Sequence, residues 1–267
     1  MYGLENKILN ESSNAAWYNF GYWTTGDEYY EQACENLATK LAEAARLSET
    51  ECIFDIGGGC GDQQLLWLRK YNLKHIYAIN ISSVQVNFAR ERIQRAGLDE
   101  SITVERAGLA SHSSQKPFDC VVSLDAAYHI DKTLLFSECA RLTDRGARLA
   151  LTDLTLDSGA RKWFSRCMLR LICAGSDIPF AQLRTAENLR VSGEPFGWHN
   201  TLYEDVTEAV FGGYARFMRQ SRAQLWRRHG LRSLRFIFTG IAIASLLRRK
   251  LLRYVIVVFE KRETDYS

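Results

Sequence analysis

The chain predicts an α/β protein built on a doubly wound, mainly parallel sheet, and three observations carry that expectation. The first is Cys52-Ile53-Phe54-Asp55-Ile56-Gly57-Gly58-Gly59-Cys60-Gly61-Asp62-Gln63, an apolar run that ends in an acid and a glycine cluster. Behind it Leu65-Leu66-Trp67-Leu68 recur at helical spacing, which completes a strand–turn–helix pattern. The second is the alternation of short apolar runs with amphipathic stretches from Cys52 to Leu154. The third is size: 267 residues, 46% of them hydrophobic, supply one sizeable core, and α/β domains commonly reach this length undivided.

Residues 1–14 are polar and read as loosely attached. Ala15 to Trp23 is a dense aromatic patch (Trp17, Tyr18, Phe20, Tyr22, Trp23), followed by an amphipathic helix from about Asp27 to Leu47. Such a patch is either core or, lying ahead of the sheet, a lid. Glycines let the backbone take unusual dihedrals and let a ligand approach without a Cβ in the way, although the same cluster also suits a plain tight turn. No lysine follows the glycines, which excludes a phosphate-binding P-loop. His75 to Ile81 is the second strand, and Ser82 or Ser83 caps a helix from Val84 to Ala96 that Gly97 closes. Ligands of open α/β sheets lie at the carboxyl ends of the strands, so Asn80 and Gln85 would offer amides to a ribose diol beside the glycine loop. A dinucleotide site would put Asp or Glu where Asn80 stands.

Ser101 to Arg106 is a third strand and Phe118 to Leu124 a fourth. Asp131 and Lys132 open a helix ending near Arg145-Gly146, and Ala147 to Leu154 is the fifth strand. Beyond Thr155 the rhythm changes. Lys162 to Ala174 is a helix with an apolar face, and Ile178-Pro179 breaks it. Phe180 to Arg190 reads as another short helix, Phe196 to Val206 as strand six, residues 207–250 as mostly helical, and Arg253 to Phe259 as the last strand.

With D-I-G-G-G-C-G, A-I-N-I-S-S-V-Q and F-D-C-V-V-S-L-D-A-A-Y-H-I in this order, the chain resembles the class I S-adenosylmethionine-dependent methyltransferases. Within them it is similar to the small-molecule branch that includes tocopherol, sterol, macrolide- and indolocarbazole-sugar methyltransferases, from about Asn19 to Lys261. The resemblance implies a Rossmann-like sheet of seven strands, the last antiparallel, with a helical cap. It divides the chain into an N-terminal lid (1–26), a cofactor-binding core (27–154), a substrate cap with strand six (155–252) and a closing strand with its tail (253–267). It implies S-adenosylmethionine as cofactor and S-adenosylhomocysteine as product, held by Tyr18, Asn19, Asp55, Gly57, Gly59, Asn80, Ile81, Gln85, Leu109, Ala110 and Leu124. Trp23 would face the substrate. Many relatives carry Asp where Leu109 stands, to bond the adenine amino group; a cyclopropane-synthase branch uses an apolar side chain there, so Leu109 would pack on the adenine face.

Methyl transfer from a sulfonium asks the protein for orientation, desolvation and sometimes a base. Tyr128 and His129 follow strand four and Asp153 ends strand five, so these three are the catalytic candidates, and the resemblance to sugar O-methyltransferases favours that role for His129 and Asp153. His129 titrates in the right range to take a proton; the blander reading is a loop-closing hydrogen bond for His129 and a turn cap for Asp153. Asp125 would contact the cofactor's methionine end or the substrate, and His199, in the cap, the substrate. Seven cysteines without a C-x-x-C pair argue for a reducing compartment and against zinc, so no metal is expected.

The start of the chain lacks the layout of a signal peptide, and the longest apolar run, Phe236 to Leu247, is too short to span a bilayer, which together suggest a cytoplasmic protein. Charge is placed unevenly: Ala209 to Phe259 holds eleven Lys or Arg and no Asp or Glu, while the remainder has 23 basic against 31 acidic residues. That segment fits a solvated, packed cap, an anionic membrane surface, or, less well, nucleic acid. Two functions follow: a methyltransferase acting on a small apolar metabolite of natural-product, sterol or lipid type, or a membrane- or RNA-associated protein that keeps the cofactor fold without turnover.

Overall fold

The computed structural model describes residues 4–262 apart from residues 11, 13, 27, 113–116 and 162. Strands β1 (Cys52–Ile56), β2 (His75–Asn80), β3 (Ile102–Arg106), β4 (Phe118–Ser123), β5 (Thr143–Leu156), β7 (Trp198–Asp205) and β8 (Leu252–Lys261) form one sheet in the order β3-β2-β1-β4-β5-β8-β7. The two-residue β6 (Arg184–Thr185) adds to the end of β5. The pairs from β3 to β5 are parallel, and β8 runs antiparallel between β5 and β7. The antiparallel closing strand thus lies where expected. The strand order reverses between β1 and β4, which opens a crevice at their carboxyl ends.

Alternation along β8 shows how the sheet feeds two cores. Tyr254, Ile256 and Val258 enter the cluster that holds α1 (Tyr30–Ala44), α2 (Asp62–Tyr71) and α3 (Ser83–Arg95). Val255, Val257 and Phe259 enter the opposite cluster, with Leu135 and Phe136 of α4 (Lys132–Arg141). Such two-sided burial explains why these strands are apolar throughout. Helix starts follow local chemistry: the Ser82 hydroxyl accepts from Gln85 N–H at the head of α3, and the Asp131 carboxylate from Leu134 N–H at the head of α4.

Several sequence boundaries move, among them the end of α4, expected near Arg145-Gly146 and found at Arg141. The first helix starts at Tyr30 and ends at Ala44, because the Glu28 carboxylate gathers the N–H groups of Thr24, Thr25 and Gly26 into a loop just before it. Strand β5 begins at Thr143, four residues early, and a register shift opposite Phe118 and Cys120 leaves Gly146 at φ +81° outside the regular ladder. Phe180–Arg190 is no single helix but a turn, β6 and the short α6 (Ala186–Val191). The remaining helices are α5 (Trp163–Gly175), α7 (Gly213–His229) and α8 (Leu234–Arg248); Lys162, the expected start of α5, lies outside the described residues.

By length and composition the helical run Glu208–Arg248 could cross a membrane. Gly230, at φ +54°, turns the chain back within it, and a Cβ on Gly240 of α8 would stand 2.6 Å from that of Met218 on α7. Two helices therefore form a hairpin, and the 15 residues of α8 rise only about 22 Å, short of a ~30 Å hydrocarbon core.

Candidate functional site

A cavity of about 440 Å³ fills the crevice between β1 and β4, within the ~300–1,000 Å³ usual for small-molecule sites. Its floor is the glycine loop. Gly57, Gly59 and Gly61 have φ of +82°, +59° and +94°, a region that penalises any side chain. A Cβ on Gly57 would come within 2.4 Å of the Ala126 Cβ, so the loops after β1 and β4 touch only because it has none. A Cβ on Gly59 would meet nothing within 4 Å; this residue borders open space on the cavity wall. The loop is fixed from beneath, where Gly57 and Gly58 N–H both donate to Ile79 O at 2.9 and 3.0 Å.

Asp55 holds that loop rather than a ligand. Its carboxylate is fully buried, does not line the cavity, and accepts from the Gln63 and Gln64 side-chain amides. Gln64 also donates to Gly58 O at 2.8 Å, and Gln63 lines the cavity. Burial pushes the Asp55 carboxyl up to about 7 against the pull of those two amides. The sequence assigned cofactor contact to Asp55; the strand's alternation turns it under α2 instead.

Asn80 and Gln85 stand together on the cavity wall. The Asn80 amide donates to Gln85 Oε1 at 2.8 Å and to Gly59 O at 3.3 Å, so the end of β2, the head of α3 and the glycine loop form one polar edge. Ile81 lines the same edge. The apolar side is built by Leu109, Leu124, Ile79, Ile130 and Leu134. Ala110, expected beside Leu109, is exposed and off the cavity because its short turn directs Leu109 inward alone.

The aromatic N-terminal stretch is both core and cover. Trp17, Tyr18, Asn19 and Phe20 line the cavity, Trp17 while only 5% exposed, whereas Trp23 is 4% exposed in the core and off the cavity. Trp23 stacks on Phe217 with centroids 5.0 Å apart, which removes it from any acceptor. Backbone bonds seat the stretch: Ala16 N–H to Asp62 Oδ1, Phe20 N–H to Asp125 Oδ2, Tyr22 N–H to Ala33 O and Trp23 N–H to Ala209 O. Asn19 reaches Cys34 O and accepts from Gly21 N–H.

Past β4 the titratable groups gather. Asp125, at φ +54°, accepts from the hydroxyls of Tyr254 (2.7 Å) and Tyr128 (3.3 Å) and from Phe20 N–H (3.0 Å). It therefore clasps the N-terminal cover to β4 and β8. Burial raises its carboxyl to about 6, although all three donors favour the anion. His129 lines the cavity, and its Nδ1 is 2.8 Å from Asp177 O. A carbonyl only accepts, so Nδ1 carries the proton and Nε2 is the ring's acceptor. Burial lowers the His129 pKa, which keeps the ring neutral near pH 7.

Asp153 is elsewhere. It forms a buried ion pair with Lys132 Nζ at 2.5 Å, behind the cavity wall, while Lys132 also donates to Ala127 O. An aspartate at the end of a strand that lines no part of the cavity balances a buried lysine instead of orienting His129. His199 lies on the outer strand β7, paired with Glu260 of β8 and remote from the cavity lining. Among the described residues of 155–252, Tyr214 alone reaches the cavity, and the N-terminal stretch supplies most of its cover. Gln63, Tyr30 and Tyr214 were missed by the sequence reading. Gln63 had a local signal, two glutamines directly after the glycines; Tyr214 had none. Among the described residues no group of three or more His, Cys, Asp or Glu is placed to hold a metal ion.

Comparison with known proteins follows the same division. The sequence signature of the Mycolic acid cyclopropane synthetase family covers residues 4–170. An erythromycin 3''-O-methyltransferase from Saccharopolyspora erythraea is 30% identical over 145 residues, 54% of this chain and 47% of the relative. The chain thus matches about half the length of that curated relative. Two solved structures share the fold over nearly the whole chain. The cyclopropane synthase MmaA2 from Mycobacterium tuberculosis has a TM-score of 0.77 at 14% identity, covering 96% of this chain and 97% of that one. The mycolic acid cyclopropane synthase CmaA1 complexed with SAH and CTAB has a TM-score of 0.78 at 15% identity, covering 96% and 93%.

Proposed function

The chain belongs to the mycolic acid cyclopropane synthetase family, and from that premise we propose that it transfers a methyl group from S-adenosylmethionine to a small, apolar acceptor of natural-product or lipid type. The observation that carries this reading is a single cavity that joins an amide edge (Asn80, Gln85), a side-chain-free floor (Gly57, Gly59) and an apolar wall ending at His129. The residues fit the cofactor: a wall at Gly59 with no atom within 4 Å of a Cβ admits close approach of a ligand, and paired carboxamides suit a ribose diol.

In this reading Asn80 and Gln85 hold the ribose hydroxyls, Leu109 and Ile81 flank the adenine, and Tyr18 and Asn19 hold the methionine end. When bound, the cofactor supplies an electrophilic methyl group. The protein's part is to exclude water with Tyr18, Phe20 and Tyr214, to keep the cover clasped through Asp125, and to offer His129 Nε2 to the proton of an acceptor hydroxyl. Tyr128 packs beside His129, ring centroids 4.6 Å apart, and limits its rotation. The partner is a small-molecule acceptor, with an anionic membrane surface as the place where an apolar one is met. A cofactor-fold binding protein without turnover, in which His129 only ties its loop to Asp177 O, is the less favoured reading, since the same ring also lines the cavity beside the apolar wall.

Labelled S-adenosylmethionine with a panel of apolar hydroxylated metabolites tests the proposal. Transfer that falls about 10²-fold in His129→Ala, at the low end of the usual contribution of a general base, with cofactor binding kept, supports it. Transfer to no acceptor by a protein that binds the cofactor would leave the binding-protein reading.

A further inference from the structure

Helix α5 is apolar on both sides. Leu169 and Cys173 are buried, while Trp163, Phe164 and Leu171 on the outer face are 79%, 66% and 76% exposed. Arg166 and Arg170, exposed and set over the Phe180 ring, flank that face, and the helix carries no acid. The adjoining helix α8 repeats the pattern: Phe236, Ile243 and Leu246 are buried, and Phe238 and Ile241 are 62% and 58% exposed, with Arg235 and Arg248 on the same outer side. The segment leading into α5 touches the end of α8, where Gly159 N–H donates to Lys250 O. Helices with apolar residues all round are buried in protein or in lipid, and among the described residues nothing covers these outer faces.

Charge selects the occupant. Ten of the eleven cations between Ala209 and Phe259, all but Arg253, make no ion pair with the described residues, and the stretch contains no acid. Arginines mixed with exposed Trp, Phe, Leu and Ile mark a helix lying at a bilayer interface, where the rings enter the acyl boundary and the guanidinium groups meet anionic head groups. An acidic protein would match the charge but leave the aromatic rings of α5 without a purpose. We infer that the outer faces of α5 and the α7–α8 hairpin dock on an anionic lipid bilayer.

This placement also gives the site a direction. Asp177, two residues past α5, accepts from His129 at the cavity, so an apolar acceptor leaving the bilayer along α5 arrives beside the proposed base. That second step rests on the methyltransferase reading; the docking itself does not.

Co-sedimentation of the full chain with phosphatidylcholine vesicles, with and without phosphatidylserine, tests it. Binding is expected only with phosphatidylserine, accompanied by a blue shift of tryptophan emission that Trp163→Ser diminishes. The pair Trp163→Ser and Phe164→Ser should weaken binding at least tenfold, and Arg232→Gln or Arg235→Gln about fivefold each at low salt. The substituted side chains are solvent-exposed, so S-adenosylhomocysteine affinity and melting temperature should stay as in the parent. No sedimentation with phosphatidylserine, equal binding to neutral vesicles, or binding that survives both sets of substitutions would each overturn the inference, even if an acidic protein is found to bind. Loss of cofactor binding in the parent with vesicle binding intact would strike the proposed function and leave the docking surface standing.

Discussion

The two halves of this molecule solve different problems. In the first, from the N-terminal stretch to α4, polar side chains are spent on one another and on backbone: Asp55 on Gln63 and Gln64, Asn80 on Gln85 and Gly59, Asp125 on Tyr254, Tyr128 and Phe20. In the second, from α5 to α8, the arginines form no ion pair with the described residues and stand beside exposed aromatic rings, and among the described residues one side chain, Tyr214, reaches the cavity. The lesson is that preorganisation and docking leave opposite marks. A wall that must hold a small ligand is pinned before the ligand arrives, whereas the surface proposed to meet a bilayer keeps its charges out of ion pairs with the described residues.

Substitutions should separate the halves, the largest effects falling in the first. Gly59→Val places a branched side chain in an αL position on the cavity wall, and S-adenosylhomocysteine affinity by calorimetry should fall at least a hundredfold while the fold persists. Trp23→Ala acts on stability instead: loss of a buried indole should cost about 3–5 kcal/mol in denaturant unfolding. If it abolished acceptor turnover at unchanged stability, Trp23 would belong to the site after all. Asn80→Ala removes one proposed ribose partner together with the bond it donates to Gln85, so cofactor affinity should drop about ten- to thirtyfold, in line with ~1–3 kcal/mol for a buried polar contact.

A further effect is in the pH dependence. Asp55 and Asp125 have folded-state pKa values raised by burial to about 7 and about 6, above the unfolded value near 3.8. The native state therefore holds protons that the unfolded chain has released, and stability falls as pH rises from about 4 to about 7. Melting curves should show this decline, and Asp55→Asn should flatten it. A rise in stability over that interval would mean that these carboxylates are not desolvated as the structure has them.

What could be read from the sequence follows the same line. The glycine cluster, Asn80, Gln85, Leu109 and Leu124 were legible because each is bound to a local signal: a strand end, a cap, a turn. Tyr18 and Asn19 were reached through resemblance. Asp55 and Asp153 were placed on the right strands but on the wrong side, since alternation decides which way a strand-end side chain points and a one-residue step reverses it. His199 and Tyr214 show the limit. Both belong to the second half, where the strand order and the α7–α8 hairpin decide proximity, and no spacing in the chain distinguishes the tyrosine that reaches the cavity from the histidine that does not.

Titration calorimetry of S-adenosylhomocysteine against the intact chain and its Gly59→Val variant bears most directly on the whole account. Saturable one-to-one binding to the parent, absent from a variant that still melts cooperatively, is the predicted result. A parent that binds nothing, or a variant that binds as well as the parent, would contradict the assignment of the β1–β4 crevice as the cofactor's seat.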